Sequence, residues 1–186
     1  MAAETRERIL EAARLTVQDR GYGGLSFREL AAEVGIKSAS IHYYFPTKGE
    51  LGGALASRYT ADFAAYLDAL LEQELDLPTC MARYTDVFGN TLRNANRICL
   101  AASLAAELSE LPDEVRIEVA RFGRMNENWL ARALSAGVAA EPEECRRRAR
   151  AIFAAVTGAQ LIARARGDTA LYDEVIASYR ASGLLP

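Results

Sequence analysis

Between residues 26 and 51 the chain gathers side chains able to bond an anionic polymer that carries bases. They are Ser26, Arg28, Lys37, Ser38, Ser40, His42, Tyr43, Tyr44 and Lys48. The cations at Arg28 and Lys37 suit a guanine edge or a phosphate oxygen, and Ser hydroxyls suit a base edge or a phosphate. Ser26 and Lys48 fall at expected helix starts, where unbonded backbone N–H groups and the helix dipole favour phosphate. The bland alternative is that Ser26 and Thr47 only cap helices and the tyrosines only pack. His42 reads as a pH-sensitive contact, since imidazole titrates near neutrality, or as a ring packed at a hinge with one hydrogen bond.

Presenting such groups together takes short helices held at a fixed angle. Ser26 stands three residues before Glu29, and Thr47 three before Glu50. Both pairs read as capping boxes, in which hydroxyl and carboxylate satisfy the free donors of a helix start. Phe27, Leu30, Ala31, Val34 and Ile36 form an apolar seam, with Gly35 at the turn. The pattern predicts a helix-turn-helix, whose second helix enters the DNA major groove. Ile41 and Phe45 should turn inward. Lys37 carries no acceptor, so Ser38 is expected to cap the second helix.

These residues resemble the DNA-binding domain of the TetR family of transcriptional regulators. The shared pattern runs through Gly21-Tyr22, Ser26, Gly35-Ile36, Ile41-His42-Tyr43-Tyr44-Phe45, Pro46, Thr47, Lys48 and Leu51, and covers roughly residues 5 to 55. Two positions depart from it: Lys37 replaces a small hydroxyl residue, and His42 replaces an aromatic that is usually Tyr. The resemblance implies an all-α fold of three plus six helices, DNA contacts from Tyr43 and Tyr44, a homodimer, and a small-molecule effector site in the C-terminal part.

Composition sets the bounds. The chain has 186 residues, 51% apolar, with 5 prolines, which favours an all-α protein with a proper core. The amphipathic first residues show no secretory signal, and the apolar stretch 151–163 is too short to span a bilayer, so a cytoplasmic protein without membrane partners is expected. Cysteines at 80, 99 and 145 fit a reducing compartment and form neither a disulfide framework nor a zinc motif, and one histidine excludes a His-rich metal site. No cofactor is expected. The net charge of -3 divides unevenly: residues 1–60 carry eight Lys/Arg against seven Asp/Glu, and the remainder fourteen against eighteen. Long-range steering toward DNA should be weak, so affinity must come from placed contacts and dimerisation.

Helical periodicity predicts helices near 5–20, 27–34, 38–45, 48–75, 79–95, 98–110, 113–137, 142–166 and 168–183. A DNA-binding domain over 1–58 and a ligand-binding and dimerisation domain over 59–186 are expected, with the boundary inside the long fourth helix. The C-terminal part shows no catalytic pairing. It supplies apolar side chains with isolated polar groups, the makeup of a ligand pocket and of an ordinary core alike: Met81, Tyr84, Phe88, Leu92, Cys99, Leu104, Phe122, Met125, Asn126, Trp129, Phe153, Thr157 and Gln160. Phe153, Ala154, Gly158 and Leu161, with Leu171, Tyr172, Val175, Ile176 and Tyr179, are expected at the dimer face, which the resemblance places on the last two helices. Cys99, near Arg97 and an expected helix start, reads as a sensor thiol or as plain packing. With the resemblance, these features imply an effector-released repressor on an inverted-repeat operator, its effector small and apolar. The alternatives are a constitutive DNA-binding protein and a helical enzyme with an accessory helix-turn-helix.

Overall fold

Most of the helix punctuation legible in the sequence recurs in the computed structural model, which describes residues 2–137 and 141–186. Nine α-helices, and no strand, occur among the described residues. They are α1 (Ala2–Arg20), α2 (Phe27–Val34), α3 (Ser38–Tyr44), α4 (Lys48–Leu71), α5 (Leu77–Arg93), α6 (Leu100–Ala106), α7 (Asp113–Gly137), α8 (Pro142–Arg166) and α9 (Thr169–Ala181). Ser26 caps α2 through the Glu29 N–H, Asp76 caps α5, and Asp168 caps α9. Gly35 ends α2 at φ 74° in a Schellman motif, with the Ile36 N–H on the Ala31 carbonyl, a left-handed conformation that costs glycine nothing.

Two helices differ from expectation by more than end shifts of up to three residues. The fourth stops at Leu71 rather than near 75, because its buried stripe ends at Leu70 and Glu74 turns left-handed at φ 51°. The helix expected over 98–110 is α6 followed by a 3-10 turn over Leu108–Glu110, separated where Glu107 leaves helical geometry.

The chain forms two compact units, residues 1–61 with 100–122, and 62–99 with 123–186. In the first, Ile9, Leu10, Ala13 and Val17 of α1 share a core with Leu30 and Val34 of α2, Ile41 of α3, and Leu51 and Leu55 of α4. Leu100, Leu104, Leu111 and Val115 complete it. The DNA-reading helices therefore borrow core residues from a segment roughly fifty positions downstream.

In the second unit, α5, α8 and α9 pack on one another. Gln160, wholly buried, joins two chain segments there: its Oε1 accepts from the Cys99 N–H at 3.0 Å and its Nε2 donates to the Phe88 carbonyl at 2.8 Å. Replacing Gln160 by Ala strands two buried backbone groups, each costing about 1–3 kcal/mol. Urea unfolding of Gln160→Ala should show a loss of about 2–4 kcal/mol; a loss below about 1 kcal/mol would mean water replaces the amide.

Candidate nucleic-acid interface

The helix-turn-helix presents its polar groups from three helix starts. Ser26 Oγ lies 3.5 Å from the Glu29 N–H, and Thr47 Oγ1 lies 3.0 Å from the Glu50 N–H, so the hydroxyl half of each expected box forms. The Glu29 carboxylate goes elsewhere, to Arg20 at 3.0 Å. The expectation that Ser38 caps α3 is corrected. Lys37 occupies the cap position with extended backbone and no side-chain cap bond, and Ser38 is already helical. Lysine has no acceptor, so the first amides of α3 are left without one from a side chain.

Ile41 and Phe45 are buried, which turns Tyr43 outward to 83% exposure. Tyr44 is half-buried, with its ring edge-on to Tyr43 at 5.3 Å. Ser40 is half-buried as well, while Ser38 is exposed. His42 is exposed, yet its ring packs edge-on against Phe27 at 4.7 Å and its Nδ1 lies 3.4 Å from the Pro46 carbonyl. That is the geometry of the hinge reading.

Charge pairing separates the cations of this region. Arg14 pairs with Glu11, Arg20 with Glu29, and Arg6 and Arg58 with Glu7, while Arg8 donates to the Val34 carbonyl. Lys48 is half-buried, with its ammonium 4.7 Å from the Tyr22 ring centroid and 3.3 Å from the Gly23 carbonyl. Arg28 and Lys37 are exposed and make no ion pair among the described residues. The free cations thus stand on α2 and at the start of α3. The chain's two lysines, 37 and 48, both lie in this region.

Tyr22 ties the interface together from below. It is buried, its hydroxyl donates to the Lys48 carbonyl at 3.0 Å, and burial, reinforced by Glu114, pushes its phenol up to about 12. A phenol that keeps its proton longer when folded contributes stability that is fully present below about pH 10 and lost as pH rises toward 12. Urea midpoints measured between about pH 9 and 11.5 should fall with pH. Tyr22→Phe should flatten that fall.

The residues expected to line a pocket divide between the units: Leu104 and Phe122 belong to the first and the others to the second. In the second, several of them contact one another. Tyr84 stacks on Trp129 at 5.3 Å, touches Phe88, and donates to Asn126 Oδ1 at 3.1 Å. Trp129 Nε1 donates to the Leu67 carbonyl at 2.7 Å. Asn126 and Gln160, expected to orient a ligand, thus satisfy the core itself. Met81, Leu92 and Cys99 are buried, while Met125 and Phe153 are half-buried. Thr157 is half-buried too, its hydroxyl enclosed and without a hydrogen-bond partner. All three cysteines are buried, which for Cys99 matches the packing reading.

Sequence reasoning did not find a shallow crevice in the first unit, about 160 Å³ of space between side chains that includes open solvent. Ala56, Tyr59 and Thr60 of α4 line it with Leu100, Ala101 and Leu104 of α6 and Glu118, Val119 and Phe122 of α7. Small Ala56 and Ala101 make the room, a signal that is plain only once the helices are placed. Glu118 Oε2 is buried, accepts no hydrogen bond, and has Arg121 Nη1 at 3.5 Å.

Of the residues expected at the dimer face, Tyr172 and Ile176 are buried in their own unit, where the Tyr172 hydroxyl donates to the Thr85 carbonyl at 2.8 Å. Ala154 and Leu161 are exposed, and Gly158, Leu171, Val175 and Tyr179 are half-buried. Ile162, absent from the expected set, is more than half exposed beside Leu161.

Lysine-directed acylation offers a direct reading of the interface, because Lys37 and Lys48 are the only side-chain amines. DNA should protect Lys37. Lys48→Ala should weaken binding to all sequences and lower the salt slope by about one, whereas Arg28→Ala should change which half-sites bind. An unaltered affinity and slope for Lys48→Ala would remove its phosphate role.

Comparison with known proteins bears on the same elements. The sequence pattern of the family described as "Bacterial regulatory proteins, tetR family" matches residues 9–55. A TetR transcriptional regulator from Legionella pneumophila superposes with a TM-score of 0.88 at 30% identity, covering 95% of each chain. A TetR family regulator from Agrobacterium tumefaciens gives 0.86 at 30% identity, covering 94% of this chain and 95% of that one. The HTH-type transcriptional repressor DhaR from Mycobacterium sp. (strain GP1) is 25% identical over 118 residues, 63% of this chain. That match spans 59% of DhaR, less than two thirds of its length.

Proposed function

This chain belongs to the TetR family of bacterial DNA-binding transcriptional regulators, and on that footing we propose that it is a repressor released from its operator by a small effector. The observation that carries the DNA reading is the pair of unpaired, exposed cations, Arg28 and Lys37, beside outward-facing Tyr43. Residues 1–58 would read DNA and residues 59–186 would carry effector response and dimerisation, in the cytoplasm where the chromosome lies. DhaR is by name a repressor, which supports repression over activation. The effector is a small apolar molecule, and it acts only by binding the DNA-incompetent arrangement more tightly than the competent one.

A second reading has its own support. Polar groups expected to orient a ligand are taken up within the second unit: Asn126 accepts from the Tyr84 hydroxyl, and Gln160 bonds the Cys99 N–H and the Phe88 carbonyl. A constitutive DNA-binding protein without effector fits those facts. Selecting bound sequences from random DNA and then screening compounds for release separates the two: release with a raised melting temperature supports the repressor, and its failure across chemical classes supports the second reading.

The protein would act as a two-fold homodimer on a palindromic site, its recognition helices roughly 34–36 Å apart or brought there by DNA. Gly158 gives a clean probe, because a Cβ built there meets nothing within 4 Å in the subunit. Gly158→Glu should therefore fold, yet sediment as a monomer with little operator affinity, and Tyr179→Asp should behave alike. A wild type that is monomeric at micromolar concentration and still binds DNA tightly would overturn the arrangement.

A further inference from the structure

We propose that Glu107 is a positioning residue for DNA binding, a carboxylate clamp that holds the turn from which the DNA-reading helices start. The inference rests on the reading of this chain as an effector-responsive DNA binder.

Glu107 lies just past α6, 84 and 85 residues from the groups it bonds. Its Oε1 accepts from the Tyr22 N–H at 3.1 Å, and its Oε2 accepts from the Gly23 N–H at 3.2 Å. Two consecutive backbone N–H groups converging on one carboxylate form an anion-binding nest. Gly21 makes it possible on two counts. Its φ of 76° is disfavoured for other residues, and a Cβ there would sit 2.0 Å from Glu107 Oε1.

The held turn sets both flanking starts. Tyr22 donates to the Lys48 carbonyl at the beginning of α4, and Lys48 returns to the Gly23 carbonyl and the Tyr22 ring. Three residues beyond Gly23, Ser26 caps α2 and so places Arg28. The segment bearing Glu107 meets this head a second time. A Cβ on Gly52 of α4 would lie 2.7 Å from the Tyr22 ring and 2.8 Å from Val115 of α7, so Tyr22 and the start of α7 both close on α4 at Gly52. The clamp is polar and reversible, whereas the Gly52 approach is fixed packing.

Leu104, three residues before Glu107, lines the crevice together with Leu100 and Ala101. Losing the clamp would loosen Tyr22, Ser26 and Lys48 together without removing any DNA-reading side chain.

The test uses the full chain as wild type, Glu107→Ala, Glu107→Gln and, as control, Glu110→Ala, which removes a neighbouring exposed carboxylate. In Glu107→Ala the Tyr22 and Gly23 amides should exchange at least about tenfold faster. Affinity for the selected DNA site should fall about tenfold with an unchanged salt slope, since no phosphate contact is lost. Glu107→Gln, which keeps one acceptor oxygen, should fall between wild type and Glu107→Ala, and Glu110→Ala should match the wild type. Faster exchange with unchanged DNA affinity would overturn the positioning role, and unchanged exchange would overturn the clamp itself. A wild type that selects no DNA would instead refute the functional reading, leaving the exchange arm to decide the clamp.

Discussion

A helix of seven residues does not hold its shape alone in water, because nucleation costs more than two turns return. α3 therefore exists by virtue of Ile41 and Phe45, which sink into the core built by α1, α2 and α4. That burial fixes which side chains of α3 remain outside, and Tyr43 is outermost among them. Gly35 sets the angle at which the helix arrives. The contacts proposed for Tyr43 depend on this one docking, and so does the short reach of Lys37 and Ser38 from the helix start.

Charge bookkeeping sharpens the same surface. Residues 1–60 are nearly neutral, and most of their arginines are engaged with carboxylates on the protein itself. Exposed pairs of this kind contribute only about 0–1 kcal/mol each. Their larger effect is to keep those cations from competing for phosphate. What remains free is Arg28 and Lys37, so a chain with a net charge of -3 still offers a localised positive edge. Binding through so few free cations implies a modest electrostatic share and a correspondingly larger role for fit and for two-fold pairing.

Local signals were easy to read in this chain, and distant ones were not. Ser26, Gly35, Pro142 and Gly167 each punctuate a helix by backbone chemistry that acts within four residues, so α2, α7 and α8 emerge at their expected bounds. The helix expected over 98–110 fails at Glu107, whose carboxylate answers to Tyr22 and Gly23, more than eighty positions away. No local propensity encodes such a partner. Periodicity likewise identified an apolar stripe on α9 but not its destination. Tyr172 and Ile176 face their own subunit because the Thr85 carbonyl is within reach of the phenol. The aromatic supply of the second unit was legible as composition. Whether it encloses space or fills it depends on how Tyr84 and Trp129 stack, which only placed rings reveal.

The first unit is sewn from two stretches of chain, 1–61 and 100–122. Synthesis runs in one direction, so the helix-turn-helix leaves the ribosome before Leu100, Leu104, Leu111, Val115 and Glu107 exist. At bacterial elongation speeds the gap between residues 61 and 122 is about 3–12 s, long against the microsecond-to-millisecond folding of small helical units. The nascent head spends that interval with an unfinished core and an empty carboxylate nest at Gly21. A chain broken off within the second stretch of synthesis would therefore carry the helix-turn-helix without the residues that complete its core, a dependence on length that comes from topology alone.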